Sequence, residues 1–440
     1  MSETVENKNP YSQEVSEAKP ISYITYVKRQ FRKNKRALIS FYIVAILASV
    51  ALLADVLANN KPLYCVVDGE THFPVFKEYA VDMGLSQWDE SLLNVEWKDL
   101  DYESVIWPPV PYLPQTMDMF NASYVGPFDD QDVESTQWTH WMGTDDLGRD
   151  VLSGMIHGTR VAFLVGIVSM SIATFIGILF GGLAGYFGDD KLKLPRVQIW
   201  FLYIGVIFAF FWAFFSRSFE LGEAFSSGIF ALFFQLIISM IIFVLVMAAF
   251  YFLAYPFKKI PYLKDPISAP IDVIVTRIIE IVVSVPRLIL ILSIIAVAKP
   301  SIFLIMIVIG FTSWTGIARF IRAEMLKVRK LEFMEAAQSF GYSHFRSMVK
   351  HAIPNSLNPV FIAIAFGIAS SILIESTLSF LGIGVPPEEV TWGALLSAGR
   401  SAPDAWWIVL FPGFAIFMMV TLFNLIGEGL TDALDPRQKK

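Results

Sequence analysis

The sequence predicts an all-α polytopic membrane protein, and three observations carry that reading. Of its 440 residues, 55% are hydrophobic and 15% aromatic, with a mean hydropathy of +0.55; soluble domains of this size rarely reach such values. The apolar residues fall into eight runs of roughly bilayer-crossing length. Between the runs, segments rich in Lys and Arg alternate with segments poor in them, which is the asymmetry that sets topology. The formal net charge of -6 conceals this, because acidic residues gather between Asp68 and Asp146 while basic residues flank the apolar runs. The basic clusters therefore mark membrane sides and imply no nucleic-acid partner. Cys65 is the only cysteine, which excludes an intrachain disulfide and a cysteine-based metal site.

Residues 1–36 read as a cytoplasmic tail. Its first 20 residues are polar, contain Pro10 and Pro20 and lack periodicity; Lys28, Arg29, Arg32, Lys33, Lys35 and Arg36 follow. That cluster abuts the first crossing, 37–57, and places the N-terminus in the cytoplasm. The run exceeds the roughly 7–15 residues of a signal-peptide core, so it reads as a retained helix. Residues 58–150 form an acidic extracytoplasmic region with Trp88, Trp97, Trp107, Trp138 and Trp141. The prolines of WPPVPYLP (Trp107 to Pro114) favour extended or irregular chain there. Asn121-Ala122-Ser123 matches a glycosylation sequon, a pattern too short to carry weight.

The second membrane segment covers 151–188, its apolar part running from about Val161 to Tyr186. Residues 189–265 hold two runs, Ile199 to Phe215 and Gly228 to Tyr255, and residues 266–440 hold Ile271 to Val297, Ser301 to Phe320, Leu357 to Leu381 and Ala405 to Ile426. Alternation then puts Asp189 to Arg196, Lys258 to Lys264, Arg319 to Pro359 and the terminal Arg437, Lys439 and Lys440 in the cytoplasm, all of them basic. Ile199 to Phe215 is barely long enough to cross, and Arg217 is expected to snorkel at its outer end.

Within the crossings, Ser169, Ala173, Gly177, Gly181 and Gly185 recur every four residues and lay a smooth groove for helix packing. Ser371, Glu375 and Ser379 likewise share one face. A carboxylate among lipid tails costs on the order of 3 kcal/mol, so Glu375 should face protein or water, as an interhelical hydrogen bond or as part of a translocation face. Arg277 and Glu280 are placed to pair, and Arg287, beside Pro286, is expected to find a buried partner, with a substrate contact as the alternative. GTDDLGRD (Gly143 to Asp150) has P-loop glycine spacing but carries Arg149 and Asp150 where the chemistry needs Lys and Ser or Thr. The five histidines are scattered, and no catalytic or metal-ligating pattern emerges. The most polar cytoplasmic stretch, EAAQSFGYSHFRSMVKHAIPNSLNP (Glu335 to Pro359), reads as a helix-turn-helix. Ala336 and Ala337 keep one surface low, Phe333 and Phe340 offer apolar contacts, and Gly341 permits the turn.

That stretch resembles the EAA loop of ABC-importer permeases: Glu335, Ala336, Ala337 and Gly341 keep the pattern, and His351-Ala352-Ile353-Pro354 stands where the general form has Ile-x-Leu-Pro. A histidine at this point is similar to the peptide-importer branch. HWMGTDDLGRDVLSGMIHGTRVAFLVG, IARFIRAEML, ESTLSFLGIGVPPEEVTWG and NLIGEGLTDALDPR resemble that branch's signatures, with Glu428 and Thr431 as departures, and together cover about 140–188 and 271–437. The resemblance implies the C-type inner-membrane permease of an oligopeptide or dipeptide importer. Its fold would be a type I ABC importer core of six helices, with the 189–265 segment as two extra helices and the 58–150 region as an extracytoplasmic insertion. It implies that the loop, at 321–356, couples to ATPase subunits through Phe333, Glu335, Ala336, Ala337, Phe340, Gly341, His351 and Pro354. It also implies a bacterial inner-membrane location with both termini cytoplasmic. The partners would be a homologous second permease, two ATP-binding subunits that carry ATP and Mg, and an extracytoplasmic peptide-binding protein. No cofactor would bind this chain directly. Two alternatives stay open: on the residues, an ion-coupled secondary transporter using Glu375, Arg287 and Asp272, and, within the resemblance, a permease for nickel or another small solute.

Overall fold

Asn34 interrupts what would otherwise be one long N-terminal helix. In the computed structural model, which describes residues 23–434 apart from 90, 91, 94, 228, 297, 298, 387 and 388, α1 (Tyr23–Lys33) ends there. The Asn34 side-chain oxygen accepts from the Ala37 amide at 3.2 Å and caps α2 (Lys35–Leu52), the first crossing. The tail read at 1–20 and the terminal Arg437, Lys439 and Lys440 lie outside the described residues. The single turn α3 (Ala54–Leu57) follows, and its Asp55 receives a two-pronged hydrogen bond from Arg160, at 2.7 and 3.2 Å.

The 58–150 region is more ordered than its prolines suggest. A three-stranded antiparallel sheet of order β2-β1-β3 is built from β1 (Tyr64–Val67), β2 (Glu70–His72) and β3 (Ser104–Ile106), with α4 (Pro74–Asp82) after β2. Cys65, Leu92 and Trp97 form its small core. Sequence reading missed the strands because each is only three or four residues long and shows little alternation.

α5 (Val151–Phe187) runs 37 residues, roughly 55 Å at the ordinary helical rise and well beyond the hydrocarbon core. It starts ten residues before the apolar run, because the Asp150 carboxylate caps it at the Ser153 amide, 2.6 Å away. A two-stranded ribbon, β4 (Lys193–Pro195) with β5 (Pro266–Ser268), gathers the base of the inserted segment. Between its strands lie α6 (Arg196–Phe210), which continues as one wide turn to Phe215, α7 (Ser218–Ser227), α8 (Ile229–Leu253) and the turn α9 (Pro261–Lys264). The narrow run is thus a 20-residue helix, Arg196–Phe215, long and apolar enough to cross. Arg217 does not snorkel freely. It donates to Ser239 Oγ at 2.9 Å and to the Gln235 side chain, so the hairpin satisfies its own cation.

The expected crossing Ile271 to Val297 is broken. α10 (Ile271–Ser284) and α11 (Arg287–Ile295) meet at 79°, because Pro286 lacks an amide donor and holds Val285 in extended backbone. Val297 lies outside the described residues. α12 (Ile302–Val328) extends two turns past the apolar run. Then come α13 (Glu332–Ser339), α14 (His344–Ser347), α15 (Ile353–Asn355), α16 (Asn358–Phe380), α17 (Trp392–Ala398) and α18 (Trp406–Leu434), the last with Pro412 inside. Among the described residues, seven helices are long and apolar enough to cross, eight if the bent pair counts as one span.

α5 and α12 form the centre. A methyl at Gly177 would lie 2.7 Å from Ile317 Cβ, one at Gly181 would collide with the Ala318 carbonyl oxygen, and one at Gly185 would lie 2.5 Å from Met325 Cβ. α12 answers with Gly310, which admits Ile172, and Ser169 Oγ donates to the Met306 carbonyl at 2.9 Å. Lipid supplies no hydrophobic drive between helices, so close backbone approach is what holds this pair. Gly181→Val should therefore destabilise the protein by about 1–3 kcal/mol. Thermal unfolding in detergent should show the loss, and an unchanged midpoint would contradict the packing.

Candidate functional site

The loop between α12 and α16 is a helix-turn-helix closed by a complete C-terminal cap. Gly341, at φ +81°, lets the Tyr342 amide donate back to the Ala337 carbonyl at 3.1 Å and its own amide to Gln338 at 2.9 Å. A side chain at this angle is strained, so glycine is required by geometry. α13 anchors through Met334 and Ala337, which are buried. Phe333, Glu335 and Ala336 face out with Phe340, which is 83% exposed. The loop thus presents exposed aromatic side chains on an otherwise polar surface.

Ser343 caps α14 through the Arg346 amide. Beyond it, Met348–Ala352 widens into a π turn, since Pro354 cannot donate to the Lys350 carbonyl. His351 stacks on Tyr342 with ring centroids 5.7 Å apart, and its buried Nε2 has no hydrogen-bond partner among the described residues. Fully buried Tyr186, at the end of α5, forms the roof: its ring lies 6.3 Å from His344, with Gln338 and Ser347 beside its hydroxyl. The floor of the inserted segment joins the same spot. Lys191 sits 4.6 Å over the Tyr186 ring, and Arg329, which leads into α13, reaches the Tyr186 carbonyl at 3.4 Å and Asp190 at 3.5 Å. Sequence reading missed Tyr186 and Arg322. Arg322 grips Asp272 of α10 with two nitrogens, one at 2.6 Å; IARFIRAEML carried the signal.

At the opposite end, HWMGTDDLGRD folds into a clasp on the first turn of α5. Asp145 accepts from the Leu147 and Arg149 amides and pairs with Arg149 Nε at 2.7 Å. Gly143, at φ +75°, lies against Trp407, whose Nε1 donates to the Thr144 carbonyl at 3.1 Å. His140 is buried between Asp150, 2.8 Å from Nδ1, and Asp118, 3.2 Å from Nε2, and stacks on Tyr112. Burial alone would lower the His140 pKa, but hydrogen bonds and charge from Asp150 and Asp118 outweigh it and raise the value above the ordinary one.

The Ser371, Glu375 and Ser379 row lies on one face of α16, and its Ser379 end borders a cavity of roughly 410 Å³ shared with Asp145, Arg149 and Leu395. All three are buried. Glu375 accepts from Ser379 at 2.6 Å and Ser376 at 3.3 Å, with the Thr391 hydroxyl beside it. Thr391 in turn caps α17 through the Ala394 amide, and Gly393 lets α17 lie directly on Ser376 and Ser379. Glu375 and Ser379 thus tie α16 to α17, whereas the buried Ser371 hydroxyl has no hydrogen-bond partner among the described residues. A cavity of roughly 500 Å³ opens elsewhere on α16, between Arg287, Ser313, Ser370 and Phe366. There Arg287 donates to the hydroxyls of Thr312, at 3.4 Å, and Ser313, so its partners are neutral. Arg277 and Glu280 pair at 2.6 Å.

Residues 267–440 match the family model described as "Binding-protein-dependent transport system inner membrane component", and residues 22–73 match that of the "N-terminal TM domain of oligopeptide transport permease C". The chain is 24% identical over 432 residues to the peptidoglycan transport system permease protein YejE of Agrobacterium fabrum, covering 93% of this chain and 92% of the relative. It is 26% identical over 303 residues to the dipeptide transport system permease protein DppC of Bacillus subtilis, covering 68% and 70%. A putative peptide transport system permease protein of Brucella suis is 39% identical over 169 residues, covering 38% of this chain and 57% of the relative.

Two outcomes test the geometry. A folded state that holds the His140 proton more tightly than the unfolded chain is fully stabilised below the ordinary histidine pKa of about 6.5 and loses that stabilisation as pH rises through the raised value. Tryptophan-fluorescence melts should thus show a midpoint that falls as pH rises above about 6.5, flattened in His140→Gln; the Asp118 carboxyl, which burial alone would raise but hydrogen bonds from Asn121 and His140 hold below its usual range, titrates outside that window. Glu375→Leu, which strands three buried hydroxyls, should cost about 1–3 kcal/mol in thermal unfolding, and Glu375→Gln, which keeps an acceptor, distinctly less.

Proposed function

We infer that this chain, which belongs to the family of binding-protein-dependent transport system inner membrane components, is the membrane permease subunit of an ABC importer that moves peptides. The observation that carries the coupling is the loop: exposed Phe340 and Phe333 beside Glu335 and Ala336, on a helix whose inner face is fixed under α5 and α12. Such a surface fits a groove on an ATP-hydrolysing subunit. Closure of two such subunits would push α13, and through Met334, Met325 and Tyr186 would tilt the two central helices. The chain then alternates access and performs no covalent chemistry. ATP and Mg belong to the partner subunits.

The relatives named for dipeptide and peptide transport support the substrate class. A homologous second permease and an extracytoplasmic peptide-binding protein complete the assembly in this reading. The basic loop end, with both termini, faces the cytoplasm, and the clasp end faces outward to the binding protein. The Arg287, Ser313 and Ser370 cavity, which places a cation and hydroxyls beside apolar wall, supports a translocation face there in addition to the Ser371, Glu375 and Ser379 row. Asp272, the acidic group an ion-coupled carrier would use at this end, is already neutralised by Arg322.

Gly341→Val should leave the complex assembled while abolishing peptide uptake into proteoliposomes and substrate-stimulated ATP hydrolysis, because β-branching at this φ opens the α13 cap. Normal substrate-stimulated hydrolysis in that variant would refute the coupling role.

A further inference from the structure

At the loop end of the bundle, α1 folds back against the start of α16 and the last turns of α18. It leaves a groove of roughly 530 Å³. The wall is apolar, with Phe31, Tyr42, Phe361 and Leu430, and Lys28 and Arg32 stand at the rim. The groove is built into the fold: a methyl on Gly429 would collide with Ala37, and Phe31 lies 3.1 Å from the same position, so α18 fixes the angle between α1 and α2. Asn34 reinforces the elbow by donating to Asp432 at 3.0 Å.

Two independent observations say what covers this groove. Its wall continues onto α2, a membrane span, where Phe41 is 51% and Tyr42 58% exposed; the occupant therefore meets the hydrocarbon boundary. In addition, Lys28, Arg29, Arg32, Lys33, Lys35 and Arg36 have no carboxylate within ion-pair distance among the described residues. Glu428 lines a neighbouring polar hollow with Lys33, Lys35 and Arg36 without closing a bridge. An apolar slot at the membrane surface under unpaired cations is complementary to one molecule class, an acyl chain carrying a phosphate headgroup.

We propose that the α1, α2, α16 and α18 groove binds an anionic phospholipid of the leaflet on the loop side, with its headgroup at Lys28 and Arg32 and an acyl chain along Phe31, Phe361 and Leu430. Since α16 begins where the loop ends, the lipid would brace the element that the loop must move.

The test uses the full chain in mild detergent, titrated with phosphatidylglycerol or with phosphatidylcholine of the same chains and read by native mass spectrometry. Phosphatidylglycerol should bind preferentially. The double variant Lys28→Gln, Arg32→Gln should lose on the order of tenfold in phosphatidylglycerol affinity with phosphatidylcholine unchanged, and Leu430→Trp should weaken both lipids. Lys258→Gln with Lys259→Gln, on the inserted hairpin, should change neither. Matching thermal midpoints establish that the variants fold. Unaltered phosphatidylglycerol binding in the double variant overturns the proposal, as does displacement of the lipid by free glycerol phosphate. So does a severalfold gain on deleting residues 1–21, which would give the groove to the acidic tail.

Discussion

The close approach of α5 and α12 is the constraint on which everything else depends. Three glycines a turn apart let the backbones meet where a single methyl would collide, and in lipid such proximity replaces the hydrophobic drive that a soluble core would supply. The α5 helix is long enough to emerge on both sides. Its first turn is clasped by Asp150, Thr144 and Trp407, and its last turn ends in Tyr186 against the loop. A rod fixed at its middle and held at both ends transmits displacement, and that is the property a coupling loop requires.

The inserted hairpin acquires meaning from the same rod. Its helices pack on one another through Gly205 and Phe250 and leave Trp200, Ile207, Phe215 and Phe252 exposed, so it adds little to the core. Yet its floor is Asp190 and Lys191, which touch Arg329 and Tyr186 at the loop. Ion pairs of this exposure contribute modestly. Geometry is the stronger argument: the hairpin leaves α5 at Asp190 and Lys191, the two residues that touch Arg329 and Tyr186 beside the loop.

Much of this was legible in the sequence because membrane helices obey strict rules. Apolar length and Lys and Arg placement gave the crossings, and four-residue spacing of Ser169, Ala173, Gly177, Gly181 and Gly185 gave the groove. Failures occurred where local pattern and tertiary context diverge. Polar His157, Thr159 and Arg160 hid the start of α5, although Asp150 was there as its cap. Ser371, Glu375 and Ser379 share one face by spacing, but the seat of α17 on Ser376 and Ser379 depends on Gly393, which no local pattern ties to them. His140 was one of five scattered histidines until the fold brought Asp118 and Asp150, from opposite sides in sequence, onto its two nitrogens.

The two buried polar centres divide by chemistry. In the clasp, charge is balanced by charge: an imidazole between two carboxylates, and Arg149 on Asp145, all outside the membrane helices, where water reaches the rim. In the α16 clamp, a carboxyl within the bundle meets only hydroxyls, which supply hydrogen bonds without a counterion. Such a group gains nothing from electrostatic steering and everything from fixed geometry. Arg287, by contrast, with hydroxyl partners and an adjoining cavity, keeps an uncompensated charge. Cavity and free charge coincide where Arg287 of α11 faces Ser313 of α12 and Ser370 of α16, so the bundle carries a hollow whose charge is met, among the described residues, by hydroxyls alone.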